Sequence, residues 1–129
     1  KENIILYNPV KKIISGLRER MIRAPIIVFP KGLGTGVIDY IRNVDADILS
    51  IDHEIDINWA IKSVSREIVL QGNLNPKILV EGGKKLDEEA LRIKNSVGDR
   101  QHVFNLGHGM LPETPIKNVH RLIEILRRR

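Results

Sequence analysis

A chain of 129 residues, 42% hydrophobic and 29% charged, carries enough apolar material for one packed core, which excludes a disordered polar tract and a fibrous repeat. The absence of cysteine excludes disulfides, iron–sulfur clusters, thiolate zinc sites and a cysteine nucleophile. The formal net charge is +5, but Arg127, Arg128 and Arg129 contribute much of it at one end, so the body of the chain is nearly balanced.

In chain order, residues 9–21 read as a helix from Pro9, with Val10, Ile13, Ile14 and Leu17 on one face and Lys11, Lys12, Arg18 and Glu19 opposite. Residues 25–29 are a β-branched and aromatic run too short for a helix and read as a buried strand. Thr35 or Gly36 then caps a helix carrying Val37, Ile38, Tyr40 and Ile41. Residues 47–51 repeat the strand signal, and 57–64 form a short helix around Trp59, Ala60 and Ile61. A third strand covers 68–71. Residues 76–97 form one long helix or two, because Gly82-Gly83 interrupts the pattern before Leu86, Ala90, Leu91 and Ile93. A fourth strand covers 102–106. Pro115 stands in the first turn of a last helix whose inner stripe is Ile116, Val119, Leu122, Ile123 and Leu126. The closing arginines complement the negative end of that helix.

The order is a helix followed by four strand–helix units, which implies a parallel sheet with right-handed crossovers. Two α/β architectures compete: an open doubly wound sheet, and about half of a TIM (β/α)8 barrel. The chain opens at Lys1 with a helix that no strand precedes. Residues 1–129 are therefore expected to be a partial domain cut from a larger protein. No apolar run approaches the ~18 residues of a membrane span and no signal-peptide pattern opens the chain, so a cytoplasmic protein without a membrane partner is expected.

In both architectures ligands bind where the strands end, so the segments after each run hold the candidate site. The Lys31-Gly32-Leu33-Gly34-Thr35-Gly36 turn lacks phosphate-loop spacing and reads as a tight strand–helix connection. Asp52 ends a buried strand, where a carboxylate needs a partner; Lys31 or Arg66 would supply one, and catalysis is the other reading. Gln71-Gly72-Asn73 offers amide groups suited to fixing loops or orienting a ligand. His108 is the most informative residue. Gly107 and Gly109 flank it, and glycine there permits positive φ or close backbone approach while the imidazole projects into a cleft. His53, His102 and His120 have no second ligand at metal spacing, so no metal site is expected.

At Asn105-Leu106-Gly107-His108-Gly109, followed by Met110-Leu111-Pro112-Glu113-Thr114-Pro115, the chain resembles the C-terminal signature of the uroporphyrinogen decarboxylase family. The segment Leu70-Gln71-Gly72-Asn73-Leu74-Asn75-Pro76 resembles the family's L-Q-G-N-L-D-P motif, and Ile26-Ile27-Val28-Phe29-Pro30-Lys31-Gly32 its strand ending in F-x-K-G. There are departures. His53 stands where the family usually has tryptophan, and Asn75 where it has aspartate.

The resemblance implies the C-terminal part of a (β/α)8 barrel and an enzyme of porphyrin and heme biosynthesis. That enzyme removes CO2 from the four acetate side chains of uroporphyrinogen III, giving coproporphyrinogen III, without a cofactor. It implies a tetrapyrrole substrate, His108 as a substrate-binding residue with its loop shaped by Gly107 and Gly109, and a homodimer. The family's substrate-binding aspartate, arginines, tyrosine and serine lie upstream and have no match here, so this piece is expected to be inactive alone. Its open sheet edges are expected to drive self-association, or to leave the sheet flattened against a neighbour.

Other readings are a zinc-dependent methyltransferase of the same barrel superfamily, disfavoured by the missing cysteines, and a small basic module binding anions or nucleic acid. Phe29, Phe104, Tyr7, Tyr40 and Trp59 are too scattered for a stacking platform, so no nucleic-acid partner is expected.

Overall fold

A computed structural model describes residues 4–128. Helices and strands alternate along them: α1 Ile4–Glu19, β1 Ile27–Val28, α2 Val37–Asn43, β2 Ile48–Ser50, α3 Ile57–Ser63, β3 Val69–Gln71, α4 Pro76–Glu81, α5 Gly83–Val97, β4 His102–Val103 and α6 Ile116–Arg127. A 3-10 turn, Gly34–Gly36, leads into α2.

The four strands form one parallel sheet in the order β1-β2-β3-β4. That order separates the two architectures. A doubly wound sheet reverses direction at a switch point and carries helices on both faces, whereas sequential parallel neighbours joined by right-handed crossovers keep every helix on one face. Four consecutive units wound the same way are an arc of a barrel.

The register shows which face the helices cover. Val28, Leu49 and Leu70 pair in one line and are all buried. In the alternate line Gln71 pairs with Ser50 on one side and Val103 on the other. Ile27 and Val103 point to the uncovered face and are each at least two-fifths exposed, as is Phe29 just beyond β1. A barrel would enclose this face.

The ladders are shorter than the apolar runs, because residues at the run ends turn into loops while still packing on the core. Ile51 is buried beyond β2, and Phe104 packs on the core beyond β4. Leu74 and Leu106 extend the β3–β4 pairing past the strands through an isolated parallel bridge.

The core lies between sheet and helices. α5 contributes Leu86, Ala90, Ile93 and Val97, a spacing that puts all four on one stripe. Gly82 takes φ +68° and ends α4, so the 76–97 segment is two helices. Asp56 and Asn75 cap α3 and α4 by accepting from the Trp59 and Lys77 amides.

Three helical expectations need correction. α1 begins before Pro9, which sits inside it and costs one intrahelical bond; the helix continues because the following residues keep their apolar face. Its inner face is Tyr7, Val10 and Ile14, and Ile13 is 64% exposed. In α6, Pro115 is the residue before the first turn, and Asn118, Leu122 and Ile125 are buried, while Ile116 is 75% exposed and Ile123 also faces outward. Apolar periodicity alone could not separate the core stripe from this outer one, because isoleucine stands in both.

Polar contacts tie the ends of α1 and α6 to the body. Arg18 pairs with Asp47 at 2.9 Å, and the same carboxylate accepts from the Ile26 amide at 2.7 Å. Lys94 donates to the Leu126 carbonyl at 3.1 Å and to the Arg128 carbonyl at 2.5 Å, so a lysine from α5 caps the C-terminal carbonyls of α6. Arg127 and Arg128 are exposed there, and Arg129 lies outside the described residues. No helix among the described residues is long and apolar enough to cross a membrane.

Candidate active site

Lys31 follows β1 and His108 follows β4, 77 residues apart in sequence, yet Lys31 Nζ lies 2.7 Å from His108 Nε2. An ammonium has donors only, so the imidazole nitrogen accepts and the ring proton sits on Nδ1. Two strand-end residues thus meet across the C-terminal edge of the sheet.

Asp52 holds the loops beneath them. It is 4% exposed. Its Oδ2 accepts from the Gly32 amide at 2.9 Å and its Oδ1 from the Glu54 amide at 3.0 Å. The expected partners were Lys31 or Arg66, and neither holds it. Lys31 reaches past Asp52 to His108, and Arg66 pairs with Asp99 at 3.2 Å. Buried carboxylates need compensation, and here backbone N–H groups supply it.

Asn73 completes this scaffold. Its buried Nδ2 donates to the carbonyls of Asp52 at 2.9 Å and Ile55 at 2.6 Å. The preceding Gly72 has φ +127° and a cis bond to Asn73, and a Cβ on it would lie 2.8 Å from the Ile51 carbonyl. Gln71 has a different place. It lies on the uncovered face, where its Nε2 donates to Ser50 Oγ at 3.1 Å.

The two glycines beside His108 are not equivalent. A Cβ on Gly107 would overlap the His53 amide nitrogen and lie 2.7 Å from His53 Cα, so the loop after β4 is pressed against the loop after β2. Gly109 has nothing within 4 Å of such a Cβ. Neither adopts positive φ. Close approach, at Gly107 alone, is the requirement the geometry imposes.

A cavity of about 360 Å³ opens on the uncovered face beside His108. Phe29, Ile27 and Met110 give it apolar walls, and Gln71, Asn105 and His108 give it hydrogen-bonding groups. No carboxylate lines it. The remaining histidines lie elsewhere: His120 is exposed on α6, and His53 backs onto Gly107. Burial pushes the His102 imidazole below its ordinary 6.5, a hydrogen bond with the Gly72 backbone opposes this, and the Arg100 charge adds to it. Among the described residues no three His, Cys, Asp or Glu side chains are grouped to hold a metal ion.

The sequence family described as uroporphyrinogen decarboxylase (URO-D) matches residues 4–129, nearly the whole chain. The chain belongs to the uroporphyrinogen decarboxylase family. Curated relatives agree: a uroporphyrinogen decarboxylase of Jannaschia sp. (strain CCS1) is 42% identical over 92% of this chain and 35% of its own length. One from Rickettsia canadensis is 41% identical over 95% of this chain and 36% of its own, and one from Novosphingobium aromaticivorans is 39% identical over 92% and 35%. The chain thus spans about a third of the length of the relatives it matches. As a member of a TIM-barrel family it carries four parallel strands with their helices.

Lys31 is the site residue whose partner sequence reading missed. The available signal was strand parity as far as the runs extend: Ile27 and Phe29 alternate onto the uncovered side, and so do Val103 and Asn105 in the run leading to His108, whereas Lys31 lies in the turn beyond, its amide bonded back to the Phe29 carbonyl.

Proposed function

We propose that this chain forms one wall of a uroporphyrinogen decarboxylase active site, with His108 orienting the substrate's carboxylates. The observation that carries this reading is the placement of His108. It stands beside a carboxylate-free cavity at the C-terminal ends of parallel strands, within 2.7 Å of a lysine ammonium. Ligands in such folds bind at that edge.

The reaction explains why such a wall would help. A proton adds to a pyrrole carbon next to an acetate side chain, making the ring an electron sink. The bond to the carboxylate breaks, its electron pair enters the cationic ring, and CO2 leaves. The exocyclic carbon then takes up a proton and the ring gives one back, so that each acetate plus one proton becomes a methyl group plus CO2. Here His108 holds the carboxylates in register and the apolar walls at Phe29 and Met110 face the macrocycle. Stabilising the ring cation falls to groups this chain does not present. Catalytic groups that act as a unit lose most of their effect when separated, so the chain by itself binds without turnover.

Titration of the chain with uroporphyrin III, the stable oxidised form, followed by fluorescence quenching, tests the binding claim. Saturable binding weakened by His108→Ala supports it, and no binding overturns it. Anaerobic incubation with uroporphyrinogen III tests the inactivity claim, which fails if coproporphyrinogen appears faster than with His108→Ala.

A further inference from the structure

We propose that Lys31 and His108 act as one carboxylate-binding pair selecting acetate-bearing tetrapyrroles, with Asp52 the positioning residue that brings the two together. This rests on the decarboxylase reading for its ligand, but its geometry stands apart from it.

Asp52 controls both halves of the pair. On one side its Oδ2 fixes the Gly32 amide, the residue next to Lys31. On the other, Gly107, next to His108, is packed directly on the Asp52–His53 peptide: a Cβ there would lie 2.8 Å from Asp52 carbonyl carbon. Asn73 pins that peptide from below by donating to the Asp52 carbonyl at 2.9 Å. The loops after β1, β3 and β4 therefore all register on one residue of the loop after β2.

The way Asp52 is satisfied leaves Lys31 available. Because amides compensate the buried carboxylate, Lys31 makes no ion pair among the described residues, and its contact is His108. After the bond to Nε2, two ammonium protons and the Nδ1–H have no acceptor among those residues. An acceptor-only carboxylate matches these donors, and charge-assisted bonds of this kind are the stronger ones. Asparagine has one acceptor oxygen where the carboxylate has two, so in Asp52→Asn an NH2 group faces the Gly32 or the Glu54 N–H and the register between the two loops, which sets Lys31 against His108, is disturbed.

The test uses the full chain in two measurements. The first compares binding of uroporphyrin III, which keeps its acetates, with coproporphyrin III, which has methyl groups in their place. Lys31→Ala is expected to narrow the preference for uroporphyrin by about fivefold, the scale of one exposed charged contact. His108→Ala is expected to add little to Lys31→Ala, because the two form one device. Full additivity, or an unchanged preference in Lys31→Ala, overturns the pair.

The second measurement needs no porphyrin. The 15N resonance of His108 Nε2 reports its bond to Lys31, and Lys31→Ala must move it. Asp52→Asn must move it in the same direction, which a purely structural role would not require. A folded Asp52→Asn with an unmoved resonance overturns the positioning role. Should Asp52→Asn not fold, the Lys31→Ala spectrum still decides whether the pair exists, and Gly107→Ala, which disturbs the same loop contact, decides whether that contact sets it. If wild-type chain binds no uroporphyrin while these shifts appear, the decarboxylase reading and the pair's selectivity for acetates both fail, and only the Lys31–His108 contact positioned by Asp52 stands.

Discussion

The carboxamide of Asn118 occupies the space over Gly82. Asn118, buried in α6, donates from Nδ2 to the Leu79 carbonyl at 2.8 Å and the Val80 carbonyl at 3.0 Å, satisfying backbone groups that the end of α4 leaves open. A Cβ on Gly82 would lie 2.6 Å from Asn118 Oδ1, and φ there is +68°. Gly82→Ala is therefore expected to lower stability by about 3 kcal/mol, from clash and backbone strain together. Asn118→Ala should cost about 2 kcal/mol by unpairing the carbonyls. The double variant should lose less than the sum, since removing the carboxamide relieves the clash but not the strain. Urea denaturation of the three variants measures all terms, and strict additivity would contradict the contact.

Arg100 makes a second long-range tie. It is 6% exposed and donates to four carbonyls, those of Ile61 at 2.9 Å, Val64 at 3.0 Å, Ser65 at 2.7 Å and Ile68 at 2.9 Å. One planar guanidinium thus closes the end of α3 and the loop into β3. An ammonium cannot span four acceptors in that geometry, so Arg100→Lys is expected to be about as damaging as Arg100→Met, each costing about 3 kcal/mol. Thermal melts compare the two; recovery of most of the loss by lysine would show that charge matters more than the fork.

These two ties explain what could and could not be read from the sequence. The four strands were legible because each is a short apolar run ended by glycine, proline or a polar cluster, as at Gln71-Gly72; their order in the sheet was not, since the same run of strand–helix units fits both a doubly wound sheet and a barrel arc. The break between α4 and α5 was legible at Gly82-Gly83. Arg100 and Asn118 were not, because in one dimension a buried polar residue looks like a surface one. Their acceptors are backbone carbonyls 32 to 39 residues away, which carry no side-chain signal. The site divides in the same way. His108 was legible from its loop, whereas its contact with Lys31 depends on the parallel register of four strands.

The asymmetry between Gly107 and Gly109 gives a paired substitution. Gly107→Ala must push the loop after β4 off the His53 backbone, with an expected loss of about 2 kcal/mol and displacement of His108. Gly109→Ala meets open space at ordinary φ and should stay within about 0.5 kcal/mol of wild type. Denaturation midpoints and the His108 ring resonances check both. Equal effects would mean that His108 needs backbone freedom on both sides instead of a close contact on one.

Acid should weaken the fold in two separable steps. His102 is pushed below its ordinary 6.5 chiefly by burial, so the folded chain binds its proton less readily than the unfolded one. Its contribution is complete above 6.5 and is lost as pH falls from there toward the lower folded value. Asp87 lies in a lower window. Its hydrogen bond from Arg121 holds it below the ordinary 3.8, so the α5–α6 pair contributes above 3.8 and fades as pH falls through the depressed folded value. His102→Phe, which keeps a ring in β4, is expected to flatten the upper step and leave the lower. Arg121→Gln should do the reverse. Stability measured by urea across both windows distinguishes them; an upper step that survives His102→Phe contradicts its assignment to His102.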